Sequence, residues 1–418
     1  MKISFNTSAR RIPILAVAAV LGLAYVAVTA SLFVASLYGE RAELTSLKRA
    51  AWLDPGNAEY RDHLGRYYDL VARDPSAAVE QYKLAAQLNP HSARYWFDVA
   101  SSYQVLGNTT NQAAALERAI QADATTPDVA WEAANLYLVQ GEPEKALREF
   151  RVVIANDPSL GNVALQFAWR IDPDVDSMLR DIVPVRADAY TAFLELLESK
   201  QETDGAAKVW QALMQTHQRF ELPHAYDYIH YLVLHKEVDQ AVLVWQQIAS
   251  RFGLTSYLPS SSNLIVNSNF NLNVLNAGFD WQYQRQSSVT LTLDPSDFHA
   301  GRRSLLIAFD GPGIVESGIY QLVAVQPNTT YDFSGYYKTG EFEGAGGPHF
   351  TIQDMYTQAV YYESEELKDT GFWKSADGEF TTSPDCKLIV LHVRRLPAGS
   401  PMRGKLWVGD FHLTRKPS

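Results

Sequence analysis

Residues 58–90 read AEYRDHLGRYYDLVARDPSAAVEQYKLAAQLNP. Leu64, Gly65 and Tyr68 fall on one helical stretch, Ala78, Tyr82 and Ala85 on a second, and Asn89-Pro90 closes the unit. The same helix-stop pattern ends the segments at Leu53-Asp54-Pro55 and Asn156-Asp157-Pro158. Pro55 to Pro90 is 35 residues, and Pro90 to Pro158 is 68, twice 34, with Ala124 at the midpoint. Inside that frame Trp96, Val99, Ala100 and Tyr103 return 34 residues later as Ala130, Ala133, Ala134 and Tyr137. Leu116 and Ala119 return as Phe150 and Val153. The 58–90 unit carries one residue more between its helices. Further on, Asp204, Ala206, Trp210 and Leu213 recur 35 residues later as Asp239, Ala241, Trp245 and Ile248. Asn162–Arg186, with Pro173 and Pro184, breaks the register and reads as an irregular unit. A fixed period of this length is the mark of stacked helical hairpins, about six of them over 43–253.

The unit resembles the tetratricopeptide repeat, which places Leu-Gly and Tyr on its first helix, Ala, an aromatic and Ala on its second, and Pro at its end. Leu64-Gly65-Tyr68 with Ala78-Tyr82-Ala85-Pro90 matches, as does Tyr137 with Ala146, Phe150 and Pro158. Trp96 fills the first aromatic slot of the middle unit, where Gln112 and Ala124 depart from the pattern. Small residues let paired helices approach, and aromatics fill the gaps between repeats. The resemblance implies a solenoid that binds protein partners on its concave face and does no chemistry itself. Non-consensus polar residues on the first helices are the groove candidates: Arg61, Asp62, Arg94, Asp98, Gln104 and Asn135.

Upstream, Ile12–Tyr38 is 27 residues without a charge. About 20 apolar residues cross a bilayer, so the run is long enough for a transmembrane anchor. A cleaved signal peptide, with Ala35 near the cleavage site, is the alternative; its apolar core runs to about 15 residues. Lys2, Arg10 and Arg11 precede the run and give residues 1–39 a charge of +3. The positive-inside rule then keeps the N-terminus in the cytoplasm and places the remainder in the periplasm or outside the cell. The rest of the chain is acidic, −10 over 40–259 and −4 over 260–418, within a total of −11. That balance excludes a broad nucleic-acid surface, which needs a basic face. With Cys386 as the only cysteine, an intrachain disulfide and a multi-cysteine zinc site are excluded.

A linker, Thr255–Asn263, contains Pro259-Ser260-Ser261-Ser262. From Leu264 short β-rich runs alternate with Gly, Pro, Asn and Asp: Val289–Leu293, Ser304–Phe309, Tyr331–Tyr337, His349–Ile352, Lys387–Arg394 and Lys405–Val408. Such spacing without helices predicts an antiparallel sandwich of about 150 residues. Its landmarks are Asn267-Ser268-Asn269-Phe270, Gly278-Phe279-Asp280-Trp281, His299–Leu305, Tyr320-Gln321, Val325–Tyr331, Trp373 with Phe380, and Trp407–Leu413. In order and spacing they resemble a jelly-roll carbohydrate-binding module of the galactose-binding-like kind. The resemblance implies glycan binding, with Trp281, Trp373, Phe380 and Trp407 in the core. It also implies a structural calcium held by an acid after the entry Phe and an Asp near the end. Asp410 matches the second position, while the first holds Asn271, which lacks charge.

Sugar rings stack their C–H faces on aromatics and need polar partners for their hydroxyls. The stacking candidates are Tyr283, Tyr336, Tyr337, Tyr356, Tyr361 and Tyr362, and the polar candidates His349, Gln353, Asp354, Arg394 and Arg395. Because neighbours on a strand face opposite ways, one tyrosine of each adjacent pair is expected in the core. No metalloprotease, Walker, serine-hydrolase or dinucleotide motif is present. Asp354, Glu363, Glu365 and Glu366 leave open a carboxylate pair for glycoside hydrolysis.

The chain thus reads as multidomain: a transmembrane tip (1–39), an all-α tetratricopeptide-like solenoid (40–254), a linker (255–263) and an all-β jelly-roll sandwich (264–418). The expected function is a non-catalytic, membrane-anchored scaffold for protein partners with glycan contact at the sandwich, in a setting such as bacterial polysaccharide assembly or secretion. The alternative is a dedicated carbohydrate-binding protein that uses the repeats as a spacer.

Overall fold

The computed structural model describes residues 8–311, 316–368, 370–395 and 401–416. The helices are α1 (Ser8–Gly39), α2 (Leu44–Leu53), α3 (Ala58–Arg66), α4 (Pro75–Leu88), α5 (Ala93–Val105), α6 (Thr109–Ala122), α7 (Pro127–Val139), α8 (Pro143–Asn156), α9 (Pro158–Ile171), α10 (Val175–Ser177), α11 (Ala187–Lys200), α12 (Thr203–Gln215), α13 (Leu222–Leu234) and α14 (Val238–Phe252). The strands are β1 (Trp281–Tyr283), β2 (Val289–Asp294), β3 (Ser304–Gly311), β4 (Glu316–Ala324), β5 (Thr330–Gly344), β6 (Pro348–Asp354), β7 (Val360–Glu363), β8 (Lys374–Thr381), β9 (Leu388–Arg395) and β10 (Met402–Arg415). The chain divides into two compact units, 1–218 and 219–418.

In the first unit the helices pair as antiparallel hairpins. Their starts are written locally. Asn57, Asp74, Asn108 and Asp157 each accept a hydrogen bond from a first-turn amide, and Pro75, Pro127, Pro143 and Pro158 open helices where no donor is required. Ala78, Ala85, Ala100, Ala119, Ala133, Ala134 and Ala146 are fully buried at the helix contacts. Phe150, stacked against Phe167 and edge-on to Trp131, fills the gap between successive hairpins. The extra residue of the 58–90 unit is absorbed without breaking the hairpin: Tyr67–Ala72 widens into a π-helix that ends on Arg73 at φ +56°. The irregular unit contains α9, the short α10 and a second π-helical stretch, Met178–Ile182.

Two features differ from the sequence-based expectation. The hairpins begin earlier than residue 43, because α1 continues without a break into the first hairpin. Its last turns pack on α2, and Ala35, fully buried, joins Leu47, Ala50, Ala51, Tyr60 and Leu64 in one cluster. Ala35, the residue named beside a cleavage site, thus lies inside the first hairpin. Ile12–Gly39 is long and apolar enough to cross a membrane, and little of it is covered by protein.

The second feature concerns 255–263, which is not a free tether. In the second unit α13 and α14 pack with the sandwich. Trp245 of α14 donates to the Tyr257 carbonyl at 3.0 Å, and the Tyr257 hydroxyl donates to the Asn273 carbonyl at 2.8 Å. The Trp245 ring lies on Gly278, at φ +60°, and any Cβ there would collide with it. Further ties are the Tyr356 hydroxyl to the Val233 carbonyl, 2.8 Å, and Lys387 to Asp239, 2.6 Å.

The sandwich consists of two antiparallel five-stranded sheets, ordered β1-β4-β9-β6-β7 and β2-β3-β10-β5-β8. Its core contains Phe270, Trp281, Phe333, Phe350, Phe380 and Phe411. Trp281 and Phe380 lie where the sequence placed them. Trp373 and Trp407 do not. Trp407 is on the outer face of the second sheet, with Nε1 donating to Asp294, while Trp373 Nε1 donates to Asp297, which also pairs with Lys338. The reason is register: Leu406 and Val408 point inward, so Trp407 between them points out.

Candidate functional site

On the first sheet, core membership fixes which side chains face outward. Ile319 and Val323 of β4, Ile389, Leu391 and Val393 of β9, and Phe350 and Ile352 of β6 point into the sandwich. Alternation turns Tyr320 and Leu322, then Val390, His392 and Arg394, then His349, Thr351 and Gln353 to the other face. Strand register aligns them in rows. Gln282, Tyr320, His392 and Thr351 form one row across β1, β4, β9 and β6. Glu316, Arg394 and His349 form a second, and Leu322, Val390 and Gln353 a third.

The rows are pre-organised. Arg394 lies 2.6 Å from Glu316 through Nε and donates from Nη1 to Gln353 Oε1 at 3.0 Å. His392 Nδ1 is 3.5 Å from the other Glu316 oxygen. The Tyr320 hydroxyl donates to Gln282 at 2.9 Å, and burial pushes the phenol up from its ordinary pKa. Two buried polar atoms in the middle row, His392 Nε2 and Thr351 Oγ1, have no hydrogen-bond partner in the protein. Thr351 is fully buried, so these two atoms lie beneath the face and are not themselves offered to a ligand. The face thus presents an aromatic ring, an imidazole, a hydroxyl, an amide, a guanidinium and a carboxylate within a few strand spacings. That set can donate to and accept from vicinal hydroxyls, as ligand sites of few, well-placed polar groups do.

Three of the eleven glycan candidates meet here: His349, Gln353 and Arg394. His349 is the most enclosed, with Nδ1 at 2.6 Å from the Ser364 carbonyl. Tyr320, His392, Thr351, Glu316 and Gln282 were missed. The alternation in Leu388–Arg395, where His392 shares its parity with the candidate Arg394, was a signal that could have found His392.

The other candidates lie elsewhere. Tyr283 lines a groove of about 550 Å³ between the β1 and β2 edges, with Arg285 at its rim and Val289, Leu291, Leu293 and Ile319 on its floor. Tyr336 is on the outer face of the second sheet, stacked on His299 with centroids 3.7 Å apart. Tyr337 is a core residue, while Tyr356 ties the sandwich to α13. Arg395 is buried and donates to the Ala345 and Gly346 carbonyls.

Tyr361 and Tyr362 correct the alternation argument. The β6–β7 register slips between Ile352 and Gln353, so Tyr361 is an extra residue and both rings turn inward. Tyr361 stacks on Phe380 and donates to Ser383, whereas Tyr362 packs on Phe333 and lies over Gly378, where a Cβ would collide. Asp354 is structural too. Burial works against its charge, but the Thr357 amide, the Cys386 thiol and the Tyr356 amide together hold its carboxyl below the usual range. A general acid for glycoside cleavage needs a raised pKa, so Asp354 does not fit that role.

At the calcium position, Asp410 places one oxygen 2.9 Å from His299 and the other 3.0 Å from His412. Asn271 spends its oxygen on the Arg302 amide. Calcium takes six to eight oxygens, and this set of imidazoles and committed amides does not fit it. Among the described residues no group of three His, Cys, Asp or Glu side chains could hold a metal ion.

Of the groove candidates on the repeats, Asp62, Arg94 and Asp98 are brought together across α3 and α5. Asp62 is fully buried, which removes it from any partner, and pairs with Arg94 at 2.6 Å and Arg66 at 3.2 Å. Burial, then hydrogen bonding to Asp62, pushes Asp98 up to about 7. One oxygen of each carboxyl lacks a partner, Asp62 Oδ1 and Asp98 Oδ2. A proton shared between the two groups accounts for both. Arg61 bonds to Gln81, and Asn135 to the Trp131 carbonyl of its own helix, while Gln104 is exposed.

The family described as "Carbohydrate binding domain" matches residues 262–396. A solved structure titled "CBM4 structure and function" is 16% identical, with 36% of this chain and 99% of that chain covered and a TM-score of 0.29. The crystal structure of MamA is 21% identical, with coverage of 41% and 85% and a TM-score of 0.24. A structure of pilF from Pseudomonas aeruginosa is 15% identical, with coverage of 54% and 91% and a TM-score of 0.24. No curated protein sequence matches the chain.

Proposed function

We propose that this chain is a membrane-anchored, non-catalytic scaffold whose sandwich binds a glycan on the outer face of the β1-β4-β9-β6-β7 sheet. The observation that carries the glycan reading is the gathering of Tyr320, His392, Arg394 and Gln353 on one face, with Arg394 and His392 both against Glu316. The family match over 262–396 supports the ligand class. Tyr320 supplies a ring face for a sugar, while Arg394, held by Glu316 and Gln353, supplies fixed donors at little ordering cost. The helical hairpins support a protein-binding role, and the uncharged run Ile12–Tyr38 of α1, with Arg10 and Arg11 before it, supports an anchor with its N-terminus in the cytoplasm and the bulk outside. Assembly or export of a surface polysaccharide is a setting that joins these three roles.

The test is calorimetric titration of the full chain, in detergent, against a panel of cell-wall and exopolysaccharide fragments. Binding to at least one fragment, lost in His392→Ala, supports the reading. A well-folded protein that binds none of them leaves the sandwich as a protein-contacting module. The edge groove at Tyr283 is the second location for a ligand, favoured by its volume and apolar floor; Tyr283→Ala in the same titration separates the two.

A further inference from the structure

We propose that the C-terminal end of α2, with Trp52 at its tip, lies in the headgroup layer of the membrane that α1 crosses. The inference rests on the anchor reading and adds a second, lateral contact with lipid. Ile12 to Ser31 is a run of 20 residues, which at 1.5 Å per residue spans about 30 Å, the thickness of the hydrocarbon core. The outer headgroup layer therefore begins near Ser31. At that level α1 meets α2. The Ser31 hydroxyl reaches the Leu53 carbonyl at 3.4 Å, and Arg49 reaches the Tyr38 hydroxyl at 3.4 Å, which fixes an antiparallel register. The last turn of α2 thus points back toward the bilayer.

What that turn presents is Trp52, 78% exposed, the highest value for any large apolar side chain among the described residues. Indole is favoured at the membrane–water boundary, where its ring is covered and its N–H stays hydrated. The rest of the layer agrees. Leu32, Phe33, Val34 and Leu37, on the part of α1 that continues past Ser31, are exposed as well, and all are apolar. Lys48, one turn before Trp52 on the same face and exposed, is placed for lipid phosphate. An apolar stripe on two packed helices, at the height where the span runs out, fits a lipid surface. Since α1 enters the first hairpin without a break, the hairpin is held at a fixed height above the bilayer.

The experiment uses the full chain in vesicles of phosphatidylcholine and phosphatidylglycerol, in a Cys386→Ser background. Nitroxide labels are placed singly at Leu23→Cys in mid-span, at Gly56→Cys in the turn after α2, and at Val105→Cys as an exposed reference. A Cβ at Gly56 meets nothing within 4 Å, and Trp52 itself stays intact. Collision rates with oxygen and with a water-soluble nickel chelate report depth. The proposal predicts a deep Leu23 label and a Gly56 label with nickel collisions reduced about threefold or more from Val105, as an interfacial site requires. A deep Leu23 label with Gly56 matching Val105 overturns the Trp52 contact and leaves the anchor standing. A Leu23 label in water overturns both.

Discussion

The helical hairpins and the sandwich obey the same packing physics but write it in the sequence differently. In the hairpins each position's role repeats after 34 or 35 residues, so Phe150 could be assigned to the core from its spacing to Leu116. One added residue in the 58–90 unit is absorbed as a π-helical turn, and the frame downstream survives. In the sandwich one added residue inverts the facing of every later residue on its strand, because the period is two. The slip at Tyr361 turns two consecutive rings inward, and the shift between Gly409 and His412 does comparable work in β10. Helical solenoids therefore tolerate an insertion that a sheet must register.

The largest expected effect checks the shared core physics. Phe150→Ala in the repeats and Trp281→Ala in the sandwich, each fully buried, should cost about 3–5 kcal/mol in denaturant unfolding. A cost under about 1 kcal/mol for either would remove that side chain from the core.

The bulge yields the next largest. Tyr361→Ala and Tyr362→Ala should both destabilise, by about 1–3 kcal/mol each, and neither should change glycan affinity. If one of them abolished binding at unchanged stability, strict alternation would be restored and the bulge account would fail.

The shared proton between hairpins offers a pH handle with no counterpart in the sandwich rows. Asp98 is raised in the folded chain to about 7, chiefly by burial and then by Asp62, so the folded state holds a proton that the unfolded chain releases near its ordinary range. Its stabilising contribution is complete below the unfolded pKa and is lost as pH rises through about 7. Thermal melts of the parent should therefore lose more stability between pH 4 and 7 than melts of Asp98→Asn, which keeps the hydrogen bond without titrating. Parallel curves for the two proteins would contradict the shared proton. The smallest effect concerns calcium. With Asp410 bound to His299 and His412, a chelator should leave the melting temperature of the second unit unchanged within about a degree.

The same contrast explains how much was legible in the residues alone. The repeat frame, the apolar N-terminal helix and six of the ten strands were readable, because each depends on local periodicity. Strands β1, β4, β7 and β8 were not, since they are short, polar or interrupted. β4 holds Glu316 and Tyr320, and without it the rows could not be drawn. Arg394 and Gln353 were found as polar residues near tyrosines, but their meeting depends on the pairing of β6 with β9, strands some 40 residues apart in sequence. Trp373 and Trp407 misled because an indole with an acid partner is as well housed on an outer face as in a core. The first hairpin was hidden because α1 is apolar from Ile12 to its end, and a composition boundary at Gly39 says nothing about packing at Ala35.

The central claim is that the outer face of the β1-β4-β9-β6-β7 sheet binds a glycan through the Tyr320–His392 and Glu316–Arg394 rows. The most direct measurement is the affinity of the full chain for its best glycan fragment, compared across His392→Ala, Arg394→Ala and Tyr283→Ala, with a thermal melt of each. The account predicts a loss of about tenfold or more for the first two, equivalent to about 1.4 kcal/mol, with no loss for Tyr283→Ala and melting temperatures near the parent's. Unchanged affinity in His392→Ala and Arg394→Ala, with the loss falling on Tyr283→Ala, would move the site to the edge groove and contradict it.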